Sequence, residues 1–88
     1  MSTPERKLDL NRLTAGNRIA GQGTAARLRA AEQASHGHAD EAAQLHREAA
    51  AHYDQAASEF RAAGDPNQGA AYANYARLER DAAANARH

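Results

Sequence analysis

A chain of 88 residues and 9.4 kDa holds one domain at most, and a formal net charge of zero excludes an extended polyelectrolyte. Hydrophobic residues make up 42%, yet twenty-five are alanine, and the large apolar set is one Met, six Leu, one Ile, three Tyr and one Phe. No cysteine rules out a disulfide framework or thiolate site, and with nothing like a leader and no apolar run near the roughly 18 residues of a membrane span, the expected compartment is the cytoplasm.

Alanine favours helix but contributes little burial per residue, so this composition predicts helices packed closely through alanines, or help from a partner chain. Ten of the eleven basic residues are arginine, which with the alanine reads as the bias of a GC-rich genome. The neutral total also conceals an asymmetry. Residues 1–31 carry six basic residues against two acidic, and residues 32–65 carry seven acidic against two basic. The basic N-terminal part is therefore expected to fold onto, or pair with, the acidic middle.

In chain order, Thr3-Pro4-Glu5 has the grammar of a helix start, and a short helix would carry Leu8, Leu10 and Leu13 up to a stop at Gly16. Residues 15–24, AGNRIAGQGT, hold three glycines in eight positions and predict a joint or mobile segment. The chain thus divides into a basic, glycine-containing segment 1–23 and a helical domain 24–88. Thr24 is the expected cap of a helix over 24–36, with Leu28, Ala31 and Ser35 on its apolar edge.

The next helix, 39–63, shows the clearest stripe: Ala42, Leu45, Ala49, His52 or Tyr53, Ala56, Phe60 and Ala63. Gly64 then closes it in the left-handed conformation, Asp65 caps, Pro66 takes the first helical position and Gln68 completes a capping box. A last helix over 66–86 places Ala71, Tyr72, Tyr75, Leu78, Ala82 and Ala86 inward, antiparallel to its predecessor because the turn is short. With no Val and no alternating run, a strand reading fails. The expected fold is all-α: an antiparallel helical hairpin within a small three- to four-helix bundle.

Residues 50–83 resemble one 34-residue tetratricopeptide-type repeat, close also to the helical repeats of vesicle-fusion attachment proteins. Tyr53, Ala57 and Phe60 stand at the large, small and aromatic positions of the first helix, Gly64-Asp65 at the turn, and Gly69 and Ala76 at small positions of the second. Ala73 stands where the family usually has an aromatic, and no proline closes the unit near Asp81. The resemblance implies an adaptor surface, with Asp54, Ser58 and Arg61 at the partner-facing positions of the first helix. Such repeats usually need stacked neighbours, so a single one implies self-association or capping by the N-terminal helices.

Sites of chemistry are sparse. His36, His38, Asp40 and Glu41 offer imidazoles and carboxylates at a helix start, but no HxxxH pair shares a helix face, so no metal is assigned. Gly21-Gln22-Gly23-Thr24-Ala25-Ala26 matches a loose dinucleotide loop, yet no buried strand precedes it. Ser2, Ser35 and Ser58 lack any nucleophile setting, so no catalytic residue, cofactor or enzyme activity is expected.

The favoured function is a non-enzymatic protein–protein interaction module acting on another protein's surface or as a homodimer. Its partner contacts would be Asp54, Ser58, Arg61, Tyr72 and Tyr75, and its dimer contact Leu45, Tyr53 and Phe60. The alternative is a small DNA-associated regulator using Arg18, Arg27 and Arg29, with Arg6, Lys7 and Arg12 in support.

Overall fold

Glycine-rich residues 15–24 are helix, not joint. The computed structural model describes residues 8–86, and among these lie three helices: α1 (Leu10–Ser35), α2 (Ala39–Ala62) and α3 (Pro66–Asn85). The expected cap at Thr3 lies outside the described residues, as do Arg6 and Lys7. α1 starts instead at Asp9, whose Oδ1 accepts from the backbone N–H of Asn11 and Arg12 at 3.1 and 3.2 Å.

α1 is continuous because its small residues are where its neighbour needs them. Gly16, Ala20, Gly23, Ala26 and Ala30 recur every three or four residues and form its buried stripe. Opposite them, α2 drives in two rings. A Cβ added at Gly16 would come 3.0 Å from the Phe60 ring, and one at Gly23 would come 2.9 Å from the Tyr53 ring. Both pairs are seven residues apart and run in opposite directions, so two large knobs enter two glycine notches along one antiparallel seam. Gly in a helix interior costs about 1 kcal/mol relative to Ala. The close approach and burial of Phe60 and Tyr53 offset that cost.

The α2–α3 seam uses smaller residues still. Ala43, Ala50 and Ala57 of α2 and Gly69, Ala76 and Ala83 of α3 are all buried at spacings of seven. Gly69 comes so near that an added Cβ would stand 3.1 Å from the Ala57 carbonyl oxygen. This corrects the inner face expected for α3. Its α2-facing side is Gly69, Ala76, Glu79 and Ala83 with part of Tyr72, which rotates Tyr75 and Leu78 outward. Leu28 of α1 is likewise exposed, and Leu13, with Ile19, is the leucine of the N-terminal group that packs on the Phe60 cluster while Leu8 and Leu10 stay outside.

Both interhelical turns are built alike. Gly37 and Gly64 carry φ of 78° and 93°, a conformation that suits glycine. In each turn the following N–H reaches back to close a Schellman motif: His38 N–H to the Gln33 carbonyl at 2.9 Å, Asp65 N–H to the Phe60 carbonyl at 2.9 Å. Asp65 caps α3 by accepting from Gln68 N–H. Its own N–H is already taken by Phe60, so the reciprocal half of the expected capping box is absent.

α2 is the central helix, packed against both neighbours, and α1 and α3 run parallel to each other on either side. No described helix is long and apolar enough to cross a membrane. Asp9 N–H donates to the Ala63 carbonyl at 3.0 Å, and Arg12 pairs with Glu59 at 3.5 Å, which ties the start of α1 to the end of α2.

Candidate functional site

α1 and α3 flank α2 without closing over it, and the space between them is a groove of about 450 Å³ lined by Thr24, Arg27, Tyr53, Tyr72, Tyr75, Leu78 and Glu79. All four aromatic residues of the chain meet here. Tyr72 stacks on Phe60 with centroids 5.3 Å apart and on Tyr53 at 5.8 Å, and Tyr75 meets Tyr72 edge-on at 5.4 Å. Tyr72 thus covers the two rings that the α1 glycines admit, Phe60 and Tyr53.

Polar groups fix the floor. The hydroxyls of Thr24 and Tyr53 share a hydrogen bond at 2.9 Å, so Thr24 is not a cap but a mid-helix partner for a buried phenol. His46 Nδ1–H donates to Glu79 Oε2 at 2.6 Å, and Arg27 Nε lies 4.0 Å from Glu79 Oε1. One charged or ionisable group from each helix therefore converges on the buried Glu79 carboxylate, which has both oxygens engaged. Among the described residues no buried side-chain polar atom lacks a partner.

The α3 lip of the groove is apolar and open, with Tyr75 48% and Leu78 49% exposed, while the α1 side contributes Thr24 and Arg27. On α3, Ala71, Tyr75, Leu78 and Ala82 repeat at spacings of four, three and four; on α1, Thr24, Leu28, Ala31 and Ser35 do the same. The α3 lip, with Tyr75 and Leu78 in that row, thus presents the spacing with which one helix receives another.

The residues expected to bind a partner do not form one surface. Tyr72 and Tyr75 belong to the groove, whereas Asp54 lies about 100° around α2 from Tyr53 and is ion-paired with Arg80 on the outer edge of the α2–α3 seam. Arg61 is beside it, its Cγ covering Gly69, and Ser58 is exposed further round. Of the expected dimer contacts, Tyr53 and Phe60 are only 4% and 2% exposed within a single chain, because the α1 glycines admit them; Leu45 is half-buried.

The three arginines of the nucleic-acid alternative also separate. Arg18 and Arg29 share the outer face of α1, eleven residues apart and so about 16 Å along the axis. Arg27 turns into the groove beside Glu79. At the other end, His38 Nδ1 is held by Gln33 Oε1 at 2.7 Å and Glu41 Oε2 at 3.1 Å, with the His36 ring against its edge. No cluster of three or more His, Cys, Asp or Glu able to hold a metal ion occurs among the described residues. Sequence reasoning missed Thr24, His46 and Glu79 as parts of one site. The available signal was the small-residue stripe from Gly16 to Ala30, which keeps α1 unbroken and brings Thr24 beside α2. Set against known proteins, the chain matches no family model, no curated protein and no solved structure.

Proposed function

We propose that the protein is a non-enzymatic interaction module whose groove between α1 and α3 receives an amphipathic helix. The observation that carries this reading is the α3 lip with four-three-four spacing, bearing Tyr75 and Leu78 outward beside an aromatic floor. Two exposed large apolar residues side by side on one groove are costly to leave in water in a chain that has only twelve large apolar residues. Tyr75 and Leu78 supply anchors and Arg27 supplies a rim charge.

The α2–α3 pair is read as a helical hairpin of tetratricopeptide type, supported by the Gly64-Asp65 turn and the close crossing at Gly69. In this reading the binding face is the aromatic groove and not the outer edge of Asp54, Ser58 and Arg61, where Asp54 is already paired with Arg80. Photo-cross-linking in the native host tests it. A benzophenone side chain in place of Tyr75 is expected to give discrete adducts, while one in place of Gln55, exposed on the opposite side of α2, gives none. Equal labelling from the two positions would overturn the reading.

A further inference from the structure

We infer that the groove binds a free aromatic amino acid, with its α-carboxylate on Arg27, its α-ammonium on Glu79 and its ring on Tyr75. This goes beyond the helix reading and does not rest on it. Arg27 Nε and Glu79 Oε1 stand 4.0 Å apart across the groove, one on each wall, which is beyond hydrogen-bond distance. Among the described residues Arg27 makes no hydrogen bond, and Glu79 accepts a side-chain hydrogen bond only from His46, on Oε2. A ligand that is only an anion meets Glu79 as a like charge, and one that is only a cation meets Arg27 as a like charge. A ligand with an ammonium beside a carboxylate answers both, and each new contact is a charge-assisted hydrogen bond. His46 acts as a positioning residue, because holding Oε2 at 2.6 Å leaves Oε1 on the Arg27 side.

The apolar end of the site lies one turn away. Tyr75 precedes Glu79 by four residues and Thr24 precedes Arg27 by three, and α1 and α3 are parallel, so both walls put their aromatic or small side chain on the same side of the ion pair. One turn is about 5.4 Å, comparable to the reach of an aromatic amino acid from its α-carbon to its ring. The Tyr75 ring is held by Tyr72 at 5.4 Å and by Tyr53 at 5.9 Å, at interplanar angles of 75° and 54°, while Tyr75 keeps half its surface open. A third ring packs there with Leu78 beside it. The groove volume of about 450 Å³ falls within the roughly 300–1,000 Å³ of small-molecule sites.

Isothermal titration of the full chain with L-tryptophan is expected to show one site with a dissociation constant below about 1 mM. Indole-3-propionate lacks the ammonium and tryptamine lacks the carboxylate, and each is expected to bind at least about tenfold more weakly. Arg27→Gln is expected to weaken L-tryptophan at least about tenfold and to leave tryptamine unchanged. Its helical circular dichroism spectrum is expected to match the parent's, because the Arg27 side chain is 53% exposed. The comparison of ligands on the parent chain does not depend on that variant folding. No saturable binding of L-tryptophan up to about 10 mM, or equal affinity for all of these ligands, overturns the inference. So does an Arg27→Gln chain that binds L-tryptophan as the parent does. Each of these failures leaves the helix reading standing, since the cross-linker at position 75 tests that reading separately.

Discussion

Gly23 sits under the ring of Tyr53 so closely that an added Cβ would stand 2.9 Å from Tyr53 Cε1 and 3.3 Å from the Ala49 carbonyl oxygen. The glycine that looks like a helix breaker is the reason the helix fits. The Tyr53 hydroxyl then reaches Thr24, one residue along α1, so a single turn supplies both the notch for the ring and the partner for its polar end.

Two glycines two residues apart should therefore respond oppositely to alanine. Gly21 has nothing within 4 Å of its absent Cβ, so Gly21→Ala is expected to gain about 0.5–1 kcal/mol from helix propensity. Gly23→Ala gains the same propensity but must displace a buried ring, at roughly 1–3 kcal/mol for overpacking, and is expected to lose stability overall. Thermal unfolding followed by circular dichroism checks this: the midpoint should rise for the first variant and fall for the second, by several degrees each. A rise at Gly23 would show that the seam is looser than described.

The contrast explains what was legible in the sequence. The α2–α3 hairpin could be read because its turn is announced by local chemistry: a glycine at positive φ, a capping aspartate and a proline at the first helical position. α1 could not be read the same way, because glycine has two uses. Local propensity treats Gly16 and Gly23 as breaks, and only the knowledge that Phe60 and Tyr53 lie opposite, at the same spacing of seven, turns them into notches. The inner face of α3 misleads for a related reason. A stripe of large residues reads as a buried face, yet α2 reaches α3 through Gly69, Ala76 and Ala83, and Tyr72, Tyr75 and Leu78 line the groove. His46 and Glu79 carry no sequence signal of their partnership, being 33 positions apart on different helices.

Phe60 is the largest side chain fully enclosed by the chain, gripped between Gly16 and the stacked ring of Tyr72. Alanine at this position should cost about 3–5 kcal/mol, because helices already in contact through small residues cannot move closer to fill the space. For a domain this size that is most of the stability usually available. Urea unfolding is expected to show a sharply lowered midpoint or no cooperative transition for Phe60→Ala. A variant within about 1 kcal/mol of the parent would mean that the α1 notch is not filled by this ring.

Under the interaction reading, duplex DNA should not bind with measurable salt dependence. Among the described residues of that alternative, Arg18 and Arg29 share an outer face, Arg27 is drawn to Glu79, and a two-phosphate footprint would change log K by only about twice the logarithm of salt concentration. Fluorescence anisotropy with a labelled duplex at low salt tests this. Tight binding there, lost in an Arg18→Ala/Arg29→Ala variant, would revive the DNA-associated alternative.

Glu79 is the last test, and it probes the floor of the groove rather than its lips. Glu79 is 7% exposed, and its carboxylate accepts from His46 Nδ1–H at 2.6 Å and lies 4.0 Å from Arg27 Nε, so a polar side chain from each of the other two helices reaches it. Glu79→Gln keeps an oxygen for the imidazole and loses only the attraction to an exposed arginine, which is expected to cost about 0.5–1 kcal/mol. Glu79→Ala strands the half-buried His46 donor and opens space beside the tyrosines, for an expected loss of about 2–3 kcal/mol. In a double-mutant cycle, adding His46→Ala should then cost less in the Glu79→Ala background than in the parent, by about 1 kcal/mol or more, because the stranded donor is gone. Chemical unfolding of the four proteins measures the coupling. Equal losses for the Gln and Ala variants, or additive effects of the two alanine changes, would show that the His46–Glu79 contact does not hold the groove floor together.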